Sequence, residues 1–301
     1  MSLLPVIINV IGPIILIVGF GILFDRKFSP DPRVLSRLTV FIFTPCLLLS
    51  TMATSELQPR EMWQIAAVAV LSPLCVGAFG LLLSRLLRFD RPMTSAFLLS
   101  VSLVNVGNYG LPVNDFAFGS AGLERALVYF VVGTIWTNTV GVFLASSGKS
   151  SLKRSFLNVF TTPLPYATIL ALVLNTYQIA LPLPIERTVG LLGQATIPCA
   201  LLVLGFQLSR VSFKGRIGPI LIATATRLIG GALTAFPLVG LFGVTGVARQ
   251  ACIAQASMPT GVMSGVLAAE FGSDVDFATS TVLTSTVGSI LSLSLLLSMI
   301  G

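Results

Sequence analysis

Apolar residues come in blocks of about 20 along the whole chain, separated by short polar stretches. A helix rising 1.5 Å per residue needs about 20 apolar positions to cover a hydrocarbon core roughly 30 Å thick. The blocks predict ten membrane-spanning helices, at Leu3–Phe24, Val34–Thr51, Trp63–Leu83, Thr94–Gly119, Ala126–Ala145, Phe160–Leu181, Thr188–Leu208, Ile217–Gly243, Ala248–Phe271 and Phe277–Ile300. The connections are too short to hold a soluble domain. The expected fold is therefore an all-α polytopic membrane protein, with residues 1–301 forming one unit.

Polar positions inside the blocks carry the next signal. The fourth block contains Asn105-Val106-Gly107-Asn108-Tyr109-Gly110-Leu111-Pro112. Pro112 has no N–H to give the carbonyl of Asn108, and Gly107 and Gly110 make departure from helical geometry cheap. Unpaired backbone is tolerated at membrane depth only inside protein or beside a wet cavity, so this span reads as broken. The ninth block repeats the pattern: Gln255-Ala256-Ser257-Met258-Pro259 aligns with Asn108–Pro112, amide on amide and proline on proline. Thr44–Leu49 in the second span resembles Ile197–Leu202 in the seventh, and Thr137–Gly141 in the fifth matches Thr284–Gly288 in the tenth. Each match lies five spans from its partner. An odd number of spans per half inserts the halves in opposite senses, so residues 1–150 and 151–301 read as a 5+5 inverted repeat with broken, crossing fourth and ninth spans.

Such paired breaks point to a solute site near the bilayer midplane. The half-helices starting near Val113 and Thr260 offer N–H groups and a partial positive charge of about half a unit, suited to an anion. The candidate binding residues are Asn105, Asn108, Pro112, Gln255, Pro259 and Thr260, with Asn114, Ser257 and Asn138 as further polar groups. Two intramembrane charges stand out because each is costly in lipid. Asp115, three residues past Pro112, is a candidate for proton or cation coupling, or a helix-capping carboxylate. Arg227 is a candidate to balance Asp115, to meet a substrate carboxylate, or to form a structural ion pair. Pro13, Pro45, Pro198 and Pro219 read as simple kinks. Glu270, Asp274 and Asp276 read as a solvated loop edge, and Arg37 as a snorkelling side chain.

Composition narrows the function classes. Hydrophobic residues make up 54% of the chain and charged ones 10%. The net charge of +7 is spread over loops, without the basic, aromatic-lined face that nucleic-acid binding needs. Odd-numbered loops hold twelve Lys or Arg (26, 27, 33, 85, 88, 91, 149, 153, 154, 210, 214, 216) and even-numbered loops four (60, 125, 187, 249). By the positive-inside rule the odd loops are cytoplasmic and both termini lie outside. Cys46, Cys75, Cys199 and Cys252 fall inside apolar spans without metal-ligand spacing, and there is no His, so neither a metal site nor a cofactor is expected. The N-terminal block lacks a basic n-region and is long enough to span, so no cleavable signal peptide is expected. Ser146–Ser150 ends like a P-loop, but Phe143 stands where the first Gly is needed and no strand precedes it. No nucleophile–base pair suggests an enzyme.

On the Gly107–Pro112 run, its echo at Gln255–Pro259 and the five-span repeat, the chain resembles the auxin efflux carrier family of secondary transporters over essentially its full length. The resemblance implies a scaffold from spans 1, 2, 6 and 7 and a transport part from spans 3, 4, 5, 8, 9 and 10. It also implies a homodimer in the lipid bilayer and a small organic anion as substrate, such as auxin-like acids, malate or malonate. H+ or Na+ is the possible coupling ion. The lack of a long cytoplasmic loop favours a bacterial inner-membrane permease. A sodium-coupled bile-acid-type symporter and a non-transporting membrane sensor are the alternatives.

Overall fold

The computed structural model describes residues 2–146, 157, 159–211 and 213–301. In chain order the helices are α1 (Leu3–Phe28), α2 (Pro32–Met52), α3 (Pro59–Leu86), α4 (Arg91–Ser102), α5 (Gly110–Ala145), α6 (Leu164–Thr176), α7 (Leu183–Ser209), α8 (Ile217–Leu241), α9 (Gly246–Ala256), α10 (Met263–Phe271) and α11 (Val275–Ile300). Among the described residues seven of these, α1, α2, α3, α5, α7, α8 and α11, are long and apolar enough to cross a membrane. No strand accompanies them among those residues, only an isolated antiparallel bridge between Val104 and Thr260. The P-loop-like residues 147–150, with Lys149, Lys153 and Arg154, lie outside the described residues.

Where a polar side chain caps the start, the helix begins a few residues before its apolar block. Asp31 accepts from Arg33 N at 2.9 Å, Asp90 from Met93 N at 3.0 Å and Asp274 from Phe277 N at 2.9 Å. Each satisfies an N–H that the first helical turn leaves open. Asp274, expected at a solvated loop edge, is thus the N-cap of α11. The sixth block makes a shorter helix than its hydropathy predicts. Gln178 adopts a left-handed φ of 52° two residues beyond Thr176 and ends it.

Proline acts in more than one way. Pro13 and Pro45 each follow a π-helical turn, Ile7–Ile11 and Thr39–Phe43, where the missing proline N–H has loosened the hydrogen-bond ladder. In α7 the regular helix is interrupted at Ala195, three residues before Pro198. Pro219 is no kink: it is the third residue of α8, where the first turn has no N–H partner to lose. Within α5 the chain folds at Gly119 (φ 65°, ψ −161°), which divides it into arms 110–118 and 120–145.

Packing follows the small residues. α1 lies along α7 through Gly21 and Gly205, where a Cβ on Gly21 would stand 2.7 Å from the Leu202 carbonyl oxygen. α4 packs on α3, α8, α10 and α11, whereas α9 packs on α3, α5 and α8. Phe20, Leu191, Leu233, Leu291 and Met299 face outward, as expected of a surface solvated by lipid.

Hydrogen bonds sort the connections into two sets. In one, Arg210 Nη2 reaches Asp25 Oδ1 at 2.7 Å, Lys214 N reaches Ser280 Oγ at 3.0 Å and Ser273 Oγ reaches Ser95 Oγ at 2.8 Å. In the other, Arg125 Nε meets Glu61 Oε1 at 2.8 Å, Asn175 Nδ2 meets Ser55 O at 2.6 Å, and Gln64 Nε2 meets Phe242 O at 2.7 Å. Gln250 Nε2 joins the second set to the C-terminal end of α11 through Ile300 O at 2.7 Å. The first set gathers the ends of α1, α7 and α10 with the start of α4. The second gathers the starts of α3 and α9 with the ends of α6, α8 and α11.

Candidate functional site

The site grows from two interruptions. Residues 103–109 separate α4 from α5, and residues 257–262 separate α9 from α10. The two segments run antiparallel. Asn105 N donates to Pro259 O at 2.9 Å and Gly261 N to Leu103 O at 2.8 Å, on either side of the Val104–Thr260 bridge. Pro259 supplies only its carbonyl here, so its missing N–H costs nothing. Further orphan groups are taken up locally: Thr260 Oγ1 donates to Ser100 O at 2.8 Å, Thr260 N to Ser285 Oγ at 3.1 Å, and Gly110 N to Asn105 O at 3.0 Å. In a low-dielectric interior such saturation is what lets irregular backbone persist.

Three sequence expectations change. The second half-helices start at Gly110 and Met263, not near Val113 and Thr260. Pro112 therefore lies in the first turn of α5, and the break lies upstream of it. The N–H groups at that end are not free either. Leu111 N donates to Gly107 O at 3.3 Å and Val113 N to Tyr109 O at 3.1 Å. Finally, Arg227 does not balance Asp115. Its guanidinium bonds the Val101 and Ala256 carbonyls, and Asp115 lies half-buried in the second turn of arm 110–118.

The structure gathers Asn105, Pro259, Thr260 and Gln255 at the crossing, with Arg227 behind it. Gln255 is fully buried, and its Nε2 donates to Val106 O and Ala126 O at 3.3 Å each. Among the described residues its Oε1 has no partner, nor does Asn105 Nδ2 or Asn114 Oδ1. Asn108 is half-buried beside them. Ser257 spends its hydroxyl on Ile253 O at 2.7 Å, and Asn138 spends its amide on Thr134 O at 2.8 Å within its own helix. A cavity of about 10 Å³ borders the crossing, lined by Ser102, Val104, Val106, Tyr129, Trp136 and Thr137 among others. Ser102 Oγ and Trp136 Nε1 are buried there without partners. These two were missed in the sequence; a tryptophan N–H in an otherwise apolar block was the available signal. The cavity has room for about one water. A wider basin of about 450 Å³ opens between the start of α3 and the start of α9, with Arg60, Glu61 and Arg125 in its wall. Among the described residues no cluster of His, Cys, Asp or Glu could hold a metal ion.

The sequence profile of a family described as membrane transport protein matches residues 5–297. The chain belongs to this family. It is the family of auxin efflux carrier-like proteins that the Gly107–Pro112 run resembles. An uncharacterized transporter of Methanothermobacter thermautotrophicus is 27% identical over 271 residues, 88% of each chain. An uncharacterized transporter of Methanocaldococcus jannaschii is 26% identical over 301 residues, 97% of this chain and 98% of its own. Membership in a transporter family gives the crossing its context. The fold is an integral membrane protein with apolar helices in a bilayer, and its polar groups converge in the interior.

Proposed function

We propose that the protein is a secondary transporter of a small organic carboxylate, bound where the segments 103–109 and 257–262 cross. The observation that carries this reading is the set of buried amide atoms without protein partners, Asn105 Nδ2, Asn114 Oδ1 and Gln255 Oε1, inside a member of a membrane transport family. A buried polar group left unpaired costs about 1–3 kcal/mol, so such a cluster persists where a ligand or water completes it. In this reading α5 divides at Gly119, its first arm continues the broken α4 and α10 continues α9, so that with the apolar α6 the chain makes ten spans related as a 5+5 inverted repeat, 1–150 and 151–301. Spans 1, 2, 6 and 7 form the scaffold and the others the moving part, in a homodimer in a prokaryotic plasma membrane. The narrow cavity at the crossing supports a closed state from which that part must move to admit solute.

Flux of labelled carboxylates into proteoliposomes tests the site. Asn105→Ala, Asn108→Ala and Gln255→Ala should each lower it about tenfold or more, since one hydrogen bond to a charged ligand is worth about 1.5–3 kcal/mol. Wild-type flux in all three folded variants would remove the site. Asp115, half-buried and with no side-chain hydrogen bond among the described residues, is the proposed carrier of a coupling proton. Asp115→Asn should transport without responding to a pH gradient, and an unchanged response would end that role.

A further inference from the structure

Arg227 is fully buried in the first half of α8. Its Nη1 donates to the Val101 carbonyl at 2.7 Å and its Nη2 to the Ala256 carbonyl. Val101 is the penultimate residue of α4, and Ala256 is the last of α9. In unbroken helices these oxygens would accept from the N–H groups of Asn105 and Thr260. Both donors are diverted, Asn105 N to Pro259 O and Thr260 N to Ser285 Oγ. One side chain thus caps the ends of two half-helices that approach the crossing from different parts of the chain. Gly231, one turn further along α8, leaves the space: a Cβ there would collide with both the guanidinium and the Ala256 carbonyl.

No carboxylate neutralises this charge. The ion pairs among the described residues are Glu61–Arg125, Glu124–Arg125 and Asp25–Arg210. A helix C-terminus carries about half a negative charge, so two converging ends present about one, which a single guanidinium balances.

We propose that Arg227 is the resident cation of the crossing. It holds α4 and α9 together and balances their negative ends, so no sodium ion is needed there to do so. The inference rests on the crossing being the transport site, but its test reads stability and does not depend on which solute moves. In detergent, the wild-type melting temperature should be the same in sodium chloride and choline chloride at equal ionic strength. Arg227→Ala should melt several degrees lower and regain part of the loss in low-millimolar guanidinium, with no gain from choline. A sodium-dependent rise in the wild type, or an alanine variant indifferent to guanidinium, would overturn the proposal. Should Arg227→Ala fail to fold, Arg227→Lys keeps the charge and Arg227→Met keeps the bulk. The lysine variant should stay well above the methionine variant in melting temperature. Equal behaviour of the two would show that charge is not what the position requires.

Discussion

Gln255 shows how much one position at the crossing depends on its neighbour's lack of a side chain. A Cβ on Gly110 would stand 2.9 Å from Gln255 Cδ and drive the amide off the Val106 and Ala126 carbonyls. Gly110→Ala should therefore destabilise the protein by about 1–3 kcal/mol, as overpacking does, and should lower flux as Gln255→Ala does. A melting temperature and flux equal to wild type would show that the amide has another place to go. Gln255 was legible as a candidate because an amide is conspicuous in an apolar block. The bonding of Arg227 was not. Its partners are backbone carbonyls on α4 and α9, and a carbonyl has no signature in the sequence, so the visible carboxylate of Asp115 drew the pairing instead.

At the level of elements, proline marked both interruptions but located only one. Pro259 lies within its crossing segment, whereas Pro112 lies inside the first turn of α5, where proline is compatible with a helix. The break before it follows from the pairing of 103–105 with 259–261, a tertiary contact that no local rule encodes. Helix contacts built on small residues are equally silent in hydropathy. Gly205 and Gly21 let α1 and α7 touch backbone to backbone: a Cβ on Gly205 would lie 2.9 Å from Gly21 Cα and 3.0 Å from Ile22 N. Without a hydrophobic drive between helices in lipid, such close packing is a main source of their association. Gly205→Leu should separate α1 from α7 and lower the melting temperature by several degrees. Gly190→Leu, with open space around its Cβ, should leave it unchanged and serves as the control. Equal stability of both variants would mean that this contact contributes little.

Across the whole molecule, the two sets of connections tied by hydrogen bonds bear on orientation. The first set includes Arg26 and Lys27 in the last turn of α1 with Arg33 at the start of α2, Arg210, Lys214 and Arg216 beyond α7, and Arg85, Arg88 and Arg91 around the α3–α4 connection. The second holds Arg60, Arg125 and Arg249, together with the C-terminal end of α11. For these described residues charge counting and three-dimensional contact divide the connections in the same way, and the α10–α11 connection, which has no Lys or Arg, joins the first set through Ser273 and Ser95. The carboxylate of Asp25, hydrogen-bonded to Arg210, raises that guanidinium above the ordinary arginine range. Positive loops resist translocation, so the orientation we propose has the first set in the cytoplasm and the C-terminus outside. In a variant lacking Cys46, Cys75, Cys199 and Cys252, a cysteine at Gly301 should react with a membrane-impermeant maleimide in intact cells. A cysteine at Lys27 should react only after permeabilisation. The opposite pattern would invert the molecule and turn the basin beside Arg60 and Arg125 towards the cytoplasm, exchanging the sides from which solute enters and leaves the crossing.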